Sequence, residues 1–173
     1  MPRRIEGKEA LAIRHFFEAA AGEAKKATCL RARCGSVVVS KSGVILGRGY
    51  NAPPLGDESQ RRCEAELDFT KKPKYDKTCC VHAEWNAVID ALANSQKREI
   101  DGSRLYFMRV DEHGNFTDAG EPYCTTCSRF TMQAGVSEFA LWNDDGADVY
   151  TLPEYNQVSY EYHLMSKSLG EKI

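Results

Sequence analysis

His82-Ala-Glu84 and, farther along, Cys124-Thr-Thr-Cys127 supply an imidazole, a carboxylate and two thiols, types that suit a divalent transition metal. Cysteines three apart in the opening turn of a helix project to the same side, so both can reach one ion. With His82 they make three donors, the number that a zinc active in hydrolysis takes from the protein while its fourth position stays open to water. His82 and Glu84 are two apart. In mid-helix they would point to nearly opposite sides, so the helix must begin at about His82 for both to face the metal. Two helices starting beside the ion would turn their positive ends toward it and favour thiolate over thiol. Two thiolates neutralise the formal charge of zinc, which then acidifies water less than a tris-imidazole zinc does. A nearby base is therefore valuable, and Glu84, not itself a ligand, is placed to shuttle protons.

Cys-x-x-Cys at a helix start is also a redox arrangement, but a redox pair leaves His82 and Glu84 without a role. A purely structural zinc would want a fourth protein ligand, which this set does not contain.

With Pro122 close before Cys124, the segments nearly reproduce an H-x-E then P-C-x-x-C signature. The chain resembles the cytidine and deoxycytidylate deaminase superfamily between residues 29 and 142. Cys29-Leu-Arg31, Gly49-Tyr-Asn51 and His82-Ala-Glu-Trp-Asn86 are most similar to its deoxycytidylate branch. The resemblance implies a catalytic Zn2+ on His82, Cys124 and Cys127, Glu84 as the catalytic proton carrier, and a homo-oligomer. It also implies that Asn51 holds the sugar or base of the substrate and that the Ala83 carbonyl accepts from its amino group. The reaction implied is hydrolytic deamination: a cytosine nucleotide, dCMP or a close relative, becomes the uracil form and ammonia leaves. Guanine, a riboflavin precursor or adenine in RNA are the other rings open to this chemistry, and an inactive zinc-stabilised binding module is the non-enzyme reading. Glu84 argues against that module, which has no need of a non-ligand carboxylate. One departure is Tyr123, inserted between Pro122 and Cys124 where the family has proline directly before the cysteine; it could stack on a base or tuck under a loop.

A net charge of −2 and the lack of a long basic tract with interleaved aromatics make a polynucleotide a poor partner and a small nucleotide or nucleobase a good one. One phosphate needs few cations, which Arg31, Arg33 or Lys71-Lys72 could provide. No apolar stretch is long enough for a membrane helix, and the first residues lack a secretory signal's apolar segment. Seven cysteines, an odd number, argue against a disulfide framework and for reduced thiols in a cytoplasmic protein. Cys29, Cys63 and one of Cys79 or Cys80 could hold a second zinc, although small buried cysteines are the favoured reading. His113 and His163 have no partner motif, and Trp142 is core or pocket wall.

These groups need a scaffold, and 173 residues suit one domain spanning 1–173. A first helix over Gly7–Ala27 is predicted with Leu11, Ala12, His15, Phe16, Ala19 and Ala20 on its apolar side, His15 being a core histidine. Cys34–Ser40 and Val44–Tyr50 read as a hairpin, 51–78 as a long loop, and His82–Gln96 as a helix whose apolar side is Trp85, Val88, Ile89 and Leu92. Arg104–Val110 and Glu138–Asn143 read as strands, Cys124–Gln133 as a helix stopped at Ala134-Gly135, and the end of Leu152–Ser168 as helical. The fold predicted is α/β, a three-layer α/β/α sandwich on a mixed sheet, cytidine-deaminase-like, whose opening hairpin is antiparallel and whose later strands are parallel.

Overall fold

The computed structural model describes residues 1–30, 32–62 and 80–168, with side chains to 162. Arg31, Cys63, Lys71, Lys72, Cys79 and the His163 side chain lie outside the described residues. In chain order the elements are β1 (Arg3–Ile5), α1 (Gly7–Ala24), β2 (Arg33–Val39), β3 (Ile45–Tyr50), α2 (Ala83–Asn94), α3 (Lys97–Ile100), β4 (Arg104–Val110), β5 (Phe116–Thr117), α4 (Thr125–Ala134), β6 (Glu138–Asn143), β7 (Gly146–Thr151) and α5 (Leu152–Ser168). The sheet runs β1-β7-β6-β4-β2-β3, with β5 paired to β4.

Strand side chains alternate between faces, so neighbouring residues of one strand enter different cores. Val37 and Val39 of β2 join Tyr106, Met108, Ala140, Trp142 and the helix α1 in one cluster. Val38 joins Leu105, Phe107, Phe139 and Leu141 with α2, α4 and α5 in the other. The predicted three-layer α/β/α sandwich is therefore present. β4 and β6 are parallel, as expected of the later strands, but β7 returns antiparallel to β6 and β1 adds antiparallel to β7. The return is a tight hairpin: Asp144 and Asp145 sit at φ 46° and 55°, the left-handed pair that a two-residue turn matching the sheet twist requires. The short β1, β5 and α3, and β7, were not foreseen from the sequence.

The helix spans agree closely with expectation, but the buried stripes differ. α1 buries Ala10, Phe17, Ala20, Ala21, Glu23 and Ala24, while Leu11 is 66% exposed and His15 points to solvent against Phe16. His15 is thus not a core histidine. The reason is close approach to β2: a Cβ on Gly35 would fall 2.0 Å from the Ala20 carbonyl oxygen, so only the alanine stripe can face that strand. α2 follows the same rule. It buries Ala83, Glu84, Ala87, Val88 and Ala91 against Gly47 and Gly49, whose added Cβ atoms would each lie 2.2 Å from its backbone, and leaves Ile89 and Leu92 about half exposed. Trp85 is partly buried and meets Phe130 of α4 at 5.3 Å. Trp142 is core on the α1 face, edge-on to Phe17, and also lines an open cavity there with Arg14, Phe116 and Asp145.

Candidate active site

α2 begins where β3 delivers it. Asn86 donates to the Tyr50 carbonyl at 2.8 Å, tying the first turn of α2 to the end of β3, and Val81 pairs with Ala52 just before the helix. His82 is consequently the N-cap, with an extended backbone at ψ 152°, and Glu84 occupies the first turn. This break from helical geometry lets His82 and Glu84 face the same space despite their spacing. Cys124 is the N-cap of α4, where its sulfur accepts from the backbone N–H of Cys127 at 3.3 Å. Gly135, at φ 101°, closes the same helix with a left-handed C-cap.

The two helix starts meet. His82 Nδ1 lies 3.0 Å from Cys127 Sγ and 3.6 Å from Cys124 Sγ, and the two sulfurs are 2.8 Å apart. Donors on one tetrahedral zinc stand roughly 3.5–3.8 Å from each other, given bonds of about 2.0–2.3 Å. The His82–Cys124 distance matches that spacing and the other two are about 0.5–1 Å inside it, so the side chains must rotate apart to seat an ion, and the donor types fit zinc. Among the described residues it is the cluster able to hold a metal, all its ligand atoms lying within 4.8 Å of one another.

Electrostatics agree with the geometry. The Cys127 thiol donates to Cys124 and draws the Cys124 pKa down to about 5 against the opposing effect of burial, with His82 and the Cys127 N–H assisting. Cys127 is pushed the other way by that same bond and by its burial. Glu84 is 6% exposed, and burial raises its carboxyl pKa while the nearby His82 ring opposes the rise.

Asn51 sits at the end of β3, beside Cys34. Its Oδ1 accepts from Cys34 N at 2.8 Å and its Nδ2 donates to the Ala32 carbonyl at 2.9 Å, which anchors the segment entering β2. A carboxamide has two lone pairs and two N–H groups, so each end retains one position for another partner. Ala83 is buried, and its carbonyl oxygen lies 2.5 Å from where a Cβ on Gly49 would stand. Tyr123 is 48% exposed, its ring 6.3 Å from that of Tyr162, and it is close enough to Glu84 and Cys124 to feel their charges.

Three residues near Glu84 escaped the sequence reading. Cys34 packs against the α2-side core, with burial raising its thiol to about 12 and Glu84 adding to the rise. Arg109 of β4 stands across from Cys34, and Tyr155 of α5, stacked on Phe139 at 4.1 Å, lies beneath Glu84 and the cysteines. Strand alternation could have flagged Cys34 and Arg109; nothing local marked Tyr155. Arg33 falls on the opposite side, in step with Gly35, Val37 and Val39, and reaches toward the Glu112 carbonyl. Of the second-zinc candidates, Cys29 and Cys80 lie within the described residues, while Cys63 and Cys79 are outside them.

A layered α/β sandwich whose metal donors and buried carboxylate converge at two helix starts defines a class of metal-dependent hydrolase. The family described as "Cytidine and deoxycytidylate deaminase zinc-binding region" matches residues 12–142, and this chain belongs to it; its metal is zinc. A deoxycytidylate deaminase of Schizosaccharomyces pombe is 28% identical over 79% of this chain and 38% of its own length. One of Mycobacterium phage D29 is 28% identical over 70% of this chain and 87% of its own. The chain thus spans well under half of the yeast relative and most of the phage one. The structure of dCMP deaminase from cyanophage S-TIM5, in complex with dCMP and dUMP, superposes with a TM-score of 0.53 at 26% identity, over 77% of this chain and 82% of that one. Cytidine deaminase from Burkholderia pseudomallei shares the fold, with a TM-score of 0.53 at 18% identity over 82% of this chain and 94% of that one.

Proposed function

We propose that this protein is a zinc-dependent hydrolytic deaminase that converts dCMP to dUMP and ammonia. The observation that carries the reading is Glu84, a buried carboxylate in the first turn of α2, beside a three-donor group at two helix starts. His82, Cys124 and Cys127 hold the ion. When bound, zinc would supply a Lewis acid that lowers the pKa of a water, less strongly with two thiolate ligands than with three imidazoles, which leaves the task of base to Glu84. Glu84 takes one proton from the attacking water and passes it to N3 of the ring while C4 gains the oxygen. It then moves the second water proton to the exocyclic nitrogen, the C4–N bond breaks, and ammonia leaves. Water and the aminopyrimidine thereby balance ketopyrimidine and ammonia. A carboxyl raised by burial is suited to taking and returning protons.

Asn51 holds the sugar or base through the positions its backbone bonds leave open, and the Ala83 carbonyl receives the amino group. The choice of a nucleotide follows the deoxycytidylate deaminases among its relatives. Residues 1–173 act as one domain, in a cytoplasmic homo-oligomer. The exposed apolar side chains of Ile89, Leu92 and Met132 support the assembly, and the odd number of cysteines the compartment. No helix of the described residues is long and apolar enough to cross a membrane.

The test compares ammonia release from dCMP, CMP, deoxycytidine, cytosine, guanine and a cytosine-bearing single strand, with zinc content measured on the same preparation. About one zinc per chain and fastest turnover of dCMP are expected. Turnover of guanine or of the strand well above every cytosine monomer overturns the substrate and leaves the zinc chemistry standing.

A further inference from the structure

Directly opposed residues of paired strands project to the same face of a sheet. At the sheet edge beside Glu84 this rule builds a row. Asn51 exchanges hydrogen bonds with Cys34 at the end of β3, Cys34 is opposed to Arg109 on β4, and Arg109 is opposed to Thr117 on β5. Alternation along β4 assigns the row its side: Leu105 and Phe107, two and four residues before Arg109, belong to the core under α2 and α4. Arg109 therefore stands on the catalytic face beside Cys34, and Cys34 in turn is near enough to Glu84 to feel its charge.

Arg109 differs from the arginines of this chain whose charge is already spent on a carboxylate. Arg4, Arg14, Arg61 and Arg104 each have a carboxylate within 3.3 Å, those of Asp148 or Glu6, Glu18, Glu58 and Glu138 respectively. Among the described residues no carboxylate comes within ion-pair distance of Arg109; its neighbour is a thiol that stays protonated. It is only partly exposed, so water screens its charge less completely than it screens a surface arginine's. A planar guanidinium with free donors beside a reaction centre is matched in geometry and charge by a phosphate, which it can grip through two parallel N–H bonds. Arg33, the described cation that the sequence offered for this task, faces the other side of the sheet.

We infer that Arg109 grips the phosphate of the nucleotide substrate and so selects nucleotides over nucleosides, an inference that rests on the proposed nucleotide deaminase activity. The base then lies toward Glu84 and the metal, and the sugar lies along Cys34 and Asn51. The experiment uses the full chain with zinc and measures binding of dUMP and deoxyuridine by calorimetry, together with kcat and KM on dCMP and deoxycytidine. Wild type, Arg109→Gln, Arg109→Lys and the opposite-face control Arg33→Gln are compared. Arg109→Gln should weaken dUMP at least tenfold more than it weakens deoxyuridine and raise KM for dCMP more than it lowers kcat. Arg109→Lys should recover part of the loss because a charge remains, and Arg33→Gln should change neither ligand by more than about twofold. Equal loss for both ligands, or unchanged dUMP binding in Arg109→Gln, overturns the assignment while the nucleotide reading survives. Failure of wild type to bind either ligand removes both. Should Arg109→Gln fail to fold, Arg109→Lys decides alone: dUMP binding weakened more than deoxyuridine binding supports the assignment, and unchanged preference overturns it.

Discussion

The two faces of the sheet are built by one device and used for different ends. On each, an alanine-rich helix stripe lies against glycine-bearing strand, α1 on Gly35 and α2 on Gly47 and Gly49, closer than any side chain would permit. Over β4 and β6 the α1 face is aromatic: Phe17 meets Tyr106 and Trp142 edge-on at 5.1 and 5.0 Å, and Arg14 lies 5.7 Å over Trp142. On the α2 face the close approach brings a helix start, and with it His82 and Glu84, down onto the end of β3. The same packing that only stabilises one side positions reactive groups on the other. Substitutions should divide accordingly.

The largest difference is expected at Glu84. Glu84→Gln keeps the shape and the zinc but removes the proton carrier, and turnover of dCMP should fall by about 10²–10⁴-fold, the range of general acid–base catalysis. Activity within tenfold of wild type, with zinc still bound, would show that another group moves the proton. On the opposite face, Phe17→Ala should cost about 3–5 kcal/mol in urea unfolding, as for other buried aromatics cut to alanine. Zinc per chain should not change, and loss of the metal in the folded variant would mean that the faces are coupled.

Paired glycine substitutions sharpen the contrast. Gly35→Ala and Gly49→Ala each push a Cβ into helix backbone and should cost about 1–3 kcal/mol, the usual range for overpacking. Gly49→Ala should in addition depress turnover, because its Cβ lands 2.5 Å from the Ala83 carbonyl and 2.2 Å from Ala87 N in the helix that carries Glu84. Equal kcat in the two variants would dissolve the distinction. The smallest effect belongs to Leu11→Gln. With Leu11 66% exposed, stability should move by no more than about 0.5 kcal/mol, whereas a larger loss would restore it to the buried stripe.

The metal donors and Glu84 were legible because their chemistry is local. Cys124 and Cys127 share one helical turn, and the two-residue spacing of His82 and Glu84 makes sense only at a helix start, which is where His82 caps α2. The strands Arg104–Val110 and Glu138–Asn143 were legible too, as unbroken apolar runs. Which stripe of each helix turns inward was not. Leu11, Phe16 and Ala19 recur at helical spacing as regularly as Ala10, Phe17, Ala20 and Ala24, and hydrophobicity favours neither set. Tertiary structure chose the smaller side chains because glycines on the strands opposite leave room for a helix backbone and for nothing larger. Arg109 is the same lesson at the site. Sequence alone marked it as one polar residue near the end of a buried strand. Only the pairing of β4 with β2 opposes it to Cys34 and turns it to the face where Glu84 lies, because a strand's register, unlike a helix's turn, is fixed by a partner distant in the chain.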